Sequence, residues 1–98
     1  MNTIESYAQA LASDLSLDLA DLDLFELEVE SEWDERALKC LEWWGSSPDL
    51  LEQGVRADLR ELLWLEEFFL DREEYERCAI LVKVQARFKS NFPHLFLI

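Results

Sequence analysis

Apolar positions recur at helical spacing along most of this chain of 98 residues. At the start, apolar side chains lie three and four positions apart, as they do on one face of a helix. These positions are Ile4, Tyr7, Ala8, Leu11 and Leu15. Asn2 and Glu5 have the spacing of a capping box, which satisfies the free N–H groups of a helix start. We predict a first helix from about Thr3 to Ser13.

Residues 14 to 32 fit two different periods. At period two, Phe25, Leu27 and Val29 face one way with an acid between each pair, as in a half-buried strand. At period 3.6, the apolar residues form a single helical stripe instead. That stripe consists of Leu22, Phe25, Val29, Trp33, Ala37, Cys40, Leu41 and Trp44. Both patterns bury the apolar side chains and turn the acids outward.

We favour a helix that begins at about Leu22 and stops at Gly45. Val29 is the only β-branched residue between Ile4 and Val55, and strands are normally rich in such residues. A short strand near residues 24–30 is the alternative, and residues 15–19 are expected to form a connecting loop.

Ser47, Pro48 and Asp49 mark a second helix start, because serine caps, proline suits the first helical position and an acid suits the first turn. Apolar residues then follow at helical spacing, and Gly54 is expected to kink or divide this helix. The apolar positions are Leu51, Val55, Leu59, Leu62, Leu63, Trp64 and Phe69.

Asp71 and Glu74 form another capping-box pattern, which predicts a last helix and a short turn before it. Its predicted buried stripe is Tyr75, Cys78, Ala79, Val82 and Ala86, with Glu73, Glu76, Arg77, Lys83 and Arg87 outside it. The last two helices would form an antiparallel hairpin. The fold class is therefore all-α: one domain over residues 1–98, a small bundle of about four helices ending in a hairpin.

The last residues, NFPHLFLI, combine a helix-ending proline with four apolar residues, Leu95 to Ile98. We expect this tail to pack back on the core, and otherwise to dock into a partner.

Charge is distributed very unevenly. The net charge is −13, and residues 1–35 contain eleven acids and no Lys or Arg, whereas residues 36–98 contain eleven acids and nine bases. Such a block repels nucleic acid and anionic membranes. It attracts basic protein surfaces.

Motifs for chemistry are weak throughout. Asp14, Ser16 and Asp18 match the first ligands of a calcium loop, but Leu19 and Phe25 stand where that loop needs Gly and Glu. His94 is the only histidine, and Cys40 and Cys78 lack zinc-site spacing. We predict no enzyme activity, no metal and no cofactor. Both cysteines are expected to be buried thiols in a cytoplasmic protein, with no membrane span.

The acids therefore point to a protein-binding role, in which a line of carboxylates covers a basic surface. The candidate partner-binding residues are Asp18, Asp21, Asp23, Glu26, Glu28, Glu30, Glu32, Asp34, Glu35 and Trp43. Trp43 adjoins Trp44, so the two rings face different ways on a helix. Trp43 is either a second core contact or an exposed aromatic anchor.

Two functions follow from this pattern. The first is a small inhibitor of a basic, nucleic-acid-handling protein. It would be an immunity protein or antitoxin for a nuclease toxin, or a phage-type nucleic-acid mimic aimed at a host defence complex. The second is a helical adaptor or assembly factor that binds through apolar grooves and its C-terminal tail.

Overall fold

The computed structural model describes residues 3–96 and is all-α, as predicted. Its helices are α1 (Thr3–Asp14), α2 (Leu22–Trp44), α3 (Pro48–Asp71) and α4 (Tyr75–Lys89). No strand occurs within residues 3–96, so the alternative of a strand at 24–30 is wrong. Asn2 of the expected first capping box lies outside the described residues.

α2 is a helix because its cap and its apolar period agree. Asp21 takes an extended conformation, and its carboxylate accepts hydrogen bonds from the backbone N–H groups of Asp23 and Leu24. The buried residues of α2 are Phe25, Val29, Trp33, Ala37 and Cys40. Leu41 was predicted to belong to the stripe, but it is exposed because the period of 3.6 carries it past the edge of the contact.

α3 is the central element of the bundle. It packs against α1, α2 and α4, and α2 also packs against α4, whereas α1 contacts only α3 among the described helices. Glu26 pairs with Lys83 and Asp34 with Arg87, so α2 and α4 run in the same direction. Phe25 lies against Phe69 and Trp33 bonds to Asp58, so α2 and α3 are antiparallel.

α3 begins at Pro48 as expected, although the Ser47 side chain makes no capping hydrogen bond. The expected division at Gly54 is wrong, because the helix runs unbroken to Asp71. Gly54 instead lets a ring approach: an added Cβ would lie 2.2 Å from Cζ3 of Trp44. Leu63 was predicted to be buried and is exposed, because the core of α3 uses Leu65 instead, together with other residues.

The predicted stripe of α4 is wrong apart from Cys78. Tyr75, Ala79, Val82 and Ala86 are exposed. The face turned inward carries Arg77, Cys78, Ile80, Leu81, Val84 and Phe88. The prediction failed because Arg77, a charged residue, lies in the core, and a pattern of apolar residues assigns arginine to the outside. The second capping box is also wrong, since Asp71 ends α3 and Glu74 precedes α4 without a side-chain cap.

The C-terminal tail packs on the core in its described part. Phe92 is buried, and Leu95 and Phe96 are partly buried against the core cluster. Leu97 and Ile98 lie outside the described residues. Cys40 and Cys78 are free and buried, as predicted. In the described part of the chain, no helix has the length and apolar character needed to cross a membrane.

Candidate protein-binding surface

Four of the ten candidate residues gather at the start of α2 and in the loop before it. Asp18, Asp21, Asp23 and Glu28 are exposed, and none of them has a salt-bridge partner among residues 3–96. Asp21 is occupied as the helix cap, with its Oδ1 accepting from the Asp23 N–H at 2.9 Å. The other three carboxylates are free to meet a basic group.

The loop that carries Asp18 is held in place from the core by Arg77. Its guanidinium donates to the carbonyl oxygens of Leu17, at 3.3 Å, and of Leu19, on either side of Asp18. The same guanidinium lies 4.7 Å from the ring centroid of Phe25. Arg77 is therefore a structural residue that positions an acidic loop, a role the sequence pattern missed by placing it outside the core.

Three further candidates face α4 and are already paired. Glu26 lies 3.2 Å from Lys83, and Asp34 lies 2.7 Å from Arg87, which also approaches Glu30 at 4.0 Å. The hydrogen bond and charge of Asp34 raise the pKa of Arg87. These carboxylates join α2 to α4, so less of their charge is offered to a partner than that of Asp18 or Glu28.

Glu32 belongs to a charged network at the contact of α2 with α3. Arg36 lies 2.8 Å from Glu32 and 3.2 Å from Asp58, and it also contacts Glu61. Burial lowers the pKa of Arg36, but the hydrogen bonds that its guanidinium donates to Glu32 and Glu61 outweigh this effect and hold the pKa above its ordinary value. Because its charge is used inside the bundle, Glu32 is the candidate least suited to contact a partner.

The same network holds the titratable groups with the most altered pKa values. Burial, followed by the hydrogen bond to Asp58, raises the pKa of Cys40 to about 12. The hydrogen bond to Glu61 raises the pKa of Tyr7 to about 12. Burial also raises the pKa of Asp58, against the opposing effect of its hydrogen bond from Cys40. A protonated thiol and phenol are poor nucleophiles, so the network has the properties of a structural tie between α1, α2 and α3.

The last two candidates lie on the surface further along α2. Glu35 forms an exposed pair with Lys39 at 3.1 Å. Trp43 is 61% exposed, so its alternative as a second core contact is wrong. Its ring meets the edge of Trp44 at a centroid distance of 5.9 Å and has the Lys39 ammonium at the same distance. Trp44 is partly buried against the core, so the Trp43 ring rests on one side against a ring that is itself packed in place.

Two acids that the sequence prediction left out extend the free charge at the α2 start. A surface groove is lined by Ala20 and Leu22 from the loop and α2, and by residues 73–77 from the turn into α4. Glu73 and Glu76 therefore lie beside the loop, are exposed, and have no salt bridge within residues 3–96. The packing of the turn into α4 beside the loop brings these two acids next to Ala20 and Leu22. The acid-rich segment EEYE was the signal in the sequence that could have pointed to them.

Among the described residues, no group of three or more His, Cys, Asp or Glu side chains is placed to hold a metal ion. Comparison with protein-family models, curated proteins and solved structures finds no match to this chain.

Proposed function

We propose that this chain is a small inhibitor that binds a basic, nucleic-acid-handling protein and covers the surface on which that protein holds nucleic acid. The observation that carries the proposal is the cluster of unpaired carboxylates at one end of the bundle. Asp18 and Asp23 are close in sequence to Ala20 and Leu22, which line a groove together with Glu73 and Glu76 from the turn into α4. Glu28 lines a second groove with Leu19 and Leu24.

The placement of these acids supports a binding role over simple solubility. Self-repulsion among unpaired acids destabilises a folded chain, and interspersed lysines would relieve it. Lys83 and Arg87 pair with Glu26, Glu30 and Asp34. At the loop end, Arg77 is buried and its guanidinium is directed to Glu74 and to the carbonyl oxygens of Leu17 and Leu19, so it forms no salt bridge with Asp18, Asp23 or Glu28. The partner's own lysines and arginines would complete the charge balance there, as phosphates do when the partner holds nucleic acid.

The adaptor function has weaker support. It relies on the C-terminal tail as the docking element, and Phe92, Leu95 and Phe96 are packed against the core of the chain itself. An immunity protein, an antitoxin and a phage-type nucleic-acid mimic share the inhibitor's chemistry, and the identity of the captured partner would distinguish them.

The test is affinity capture at low salt with three forms of the chain as bait. The first form is the parent. The second, D18N/D23N/E28Q, neutralises unpaired acids, and the third, E26Q/E30Q/D34N, neutralises the same number of acids that are paired with α4. Captured proteins are eluted by a salt gradient, identified by mass spectrometry, and assayed for nucleic-acid binding or cleavage with and without the chain.

We expect a basic nucleic-acid-binding protein to elute from the parent at moderate salt, since attraction between exposed charges reaches only about 10 Å at 0.1 M salt. The chain should inhibit that protein. D18N/D23N/E28Q should lose both capture and inhibition, while E26Q/E30Q/D34N should retain most of each. Capture of a non-basic partner that resists high salt, equally by all three forms, would overturn the proposal in favour of the adaptor.

A further inference from the structure

The outward face of α2 carries large apolar side chains in a regular arrangement. Leu24, Leu27, Leu38 and Leu41 are exposed by 50%, 62%, 66% and 43%. Their spacing is three, then eleven, then three residues, which places them as two pairs at the apolar positions of a seven-residue repeat. The pair of positions between them holds Ser31 and Asp34, and Asp34 is paired with Arg87. Single exposed leucines are ordinary, but two pairs in the same register are a feature of helix pairing.

These leucines point away from the buried side of α2, and Leu38 also borders a groove that Arg87 and Ser90 line at the end of α4. The buried side consists of Phe25, Val29, Trp33, Ala37 and Cys40. α2 thus has two apolar faces, and the described helices α3 and α4 cover only one of them. From Leu24 to Leu41 the outer face extends for about 26 Å at the helical rise of 1.5 Å per residue.

A row of acids runs along one edge of the outer face. Asp21, Glu28, Glu35 and Glu42 are spaced seven residues apart and are all exposed. Glu35 pairs with Lys39, but Glu28 and Glu42 have no salt bridge within residues 3–96. The side toward α4 is different, since Glu30 at that edge and Asp34 within the seam pair with Arg87. The face is therefore negative along one side only.

We propose that the outer face of α2 docks an amphipathic helix of the partner, with apolar side chains against Leu24, Leu27, Leu38 and Leu41 and with Lys or Arg along the edge that meets Glu28, Glu35 and Glu42. Residues beside the apolar seam of paired helices are the ones whose opposite charges select a partner and its orientation. This inference rests on the proposed function and names the part of the basic partner that the chain grips.

Charge opposes an antiparallel second copy of this chain as the occupant at ordinary salt. In an antiparallel pair of α2 helices with Leu24 opposite Leu41, the acid row of one copy would face the acid row of the other, with Glu35 near Glu28 of the second copy. Like charges opposed in this way destabilise a contact. A basic helix meets the same row with attraction, so the charge pattern selects the heterologous partner.

The probe for the test is a labelled synthetic helix of 21 residues with leucines at the apolar positions of the repeat and lysines beside them. A second peptide replaces those lysines with glutamates. Binding to the full chain is followed by fluorescence anisotropy at low and moderate salt. The variants are L24Q/L27Q/L38Q, which keeps helix propensity, and E28Q/E35Q/E42Q. A matched control, Y75Q/V82Q, removes exposed apolar side chains from α4. Circular dichroism checks that each variant is folded.

We expect the lysine peptide to bind the parent and the α4 control alike, and to bind each α2 variant about tenfold more weakly or worse. The glutamate peptide should not bind. Equal binding to the parent and the leucine variant would overturn the inference, as would a loss of binding in the α4 control alone. Sedimentation of the parent as a stable dimer at 0.15 M salt would also overturn it, because the face would then be occupied by a second copy.

The same leucine variant separates this inference from the proposed function. If the leucine variant still captures and inhibits the basic partner while D18N/D23N/E28Q does not, the proposed function stands and the docking face is wrong. If neither the parent nor any variant captures a basic protein, the proposed function is wrong.

Discussion

The charges at the helix contacts and the charges on the outer surface of α2 belong to the same acidic chain but have opposite roles. Arg36 and Arg77 are each surrounded by acceptors: Arg36 by three carboxylates, and Arg77 by Glu74 and two backbone carbonyls. Outside, Asp18, Asp23 and Glu28 have no salt bridge within the described residues. Paired charges at helix contacts stabilise the fold, whereas unpaired surface acids contribute little to it and remain open to a partner.

The largest effect should follow from removing the arginine beneath the acidic loop. Arg77→Met should lower the free energy of unfolding by about 3 kcal/mol. The change deletes the hydrogen bonds that the charged guanidinium donates and leaves the carbonyl oxygens of Leu17 and Leu19 without that donor. Urea unfolding measures this loss. Arg72→Met is the control, since Arg72 is exposed and stacks only on Phe68, and it should cost far less. An equal fall in the free energy of unfolding for Arg77→Met and Arg72→Met would show that the buried contacts of Arg77 do not stabilise the fold.

A smaller loss of stability is expected when the charged network that joins α1, α2 and α3 is broken. Glu61 accepts hydrogen bonds from Tyr7 of α1 and Arg36 of α2. Glu61→Ala should therefore destabilise the chain by about 2 kcal/mol. Glu67→Ala, an exposed acid on the same helix without a salt bridge in the described structure, should stay within about 0.5 kcal/mol of the parent. Thermal unfolding at pH 7 measures the difference, and equal melting temperatures for Glu61→Ala and Glu67→Ala would contradict the prediction.

At the exposed residue Glu73, a substitution is expected to raise the free energy of unfolding and not to lower it. Glu73 has φ of 60°, in the left-handed region, and its N–H donates to the Leu70 carbonyl at 2.9 Å, as the residue after a helix end does. Glu73→Gly should stabilise the chain by about 1 kcal/mol by relieving this strain. Glu76→Gly removes the same charge from within α4 and should destabilise it by about 1 kcal/mol. Chemical denaturation of the two variants should give opposite shifts, and a shared sign would refute the strain argument.

The last prediction concerns the stability of the chain at alkaline pH. The pKa of Cys40 is raised from 9.0 to about 12, and that of Tyr7 from 10.0 to about 12, so the folded state holds both protons more tightly than the unfolded state. Their contribution to stability is complete below about pH 9 and is lost as pH rises toward 12.

The melting temperature of the parent should therefore fall more steeply between pH 9 and 11 than that of the Cys40→Ala/Tyr7→Phe variant, in which neither group titrates. Parallel curves for the two proteins would contradict the raised pKa values, whatever the difference in their absolute stability.

Sequence alone determined the helical class, the helix starts at Leu22 and Pro48, and the acidic character of the surface. These follow from local physics: Asp21 caps the helix, Pro48 suits a first turn, and apolar residues at period 3.6 define the stripe of α2. The same reasoning failed for α4, because only the contacts of Arg77 with Phe25, Leu17 and Leu19 make the burial of that charge favourable.

Tertiary structure also decided which acids are free. In the sequence Glu28 and Glu30 look alike, yet α4 supplies Arg87 to Glu30 and leaves Glu28 exposed. Tertiary structure likewise left the leucines of α2 unburied, since a helix has two sides and only packing determines which of two apolar stripes is covered. Charge pairing and burial depend on neighbours distant in the chain, and for that reason local pattern could predict the elements and not the surface.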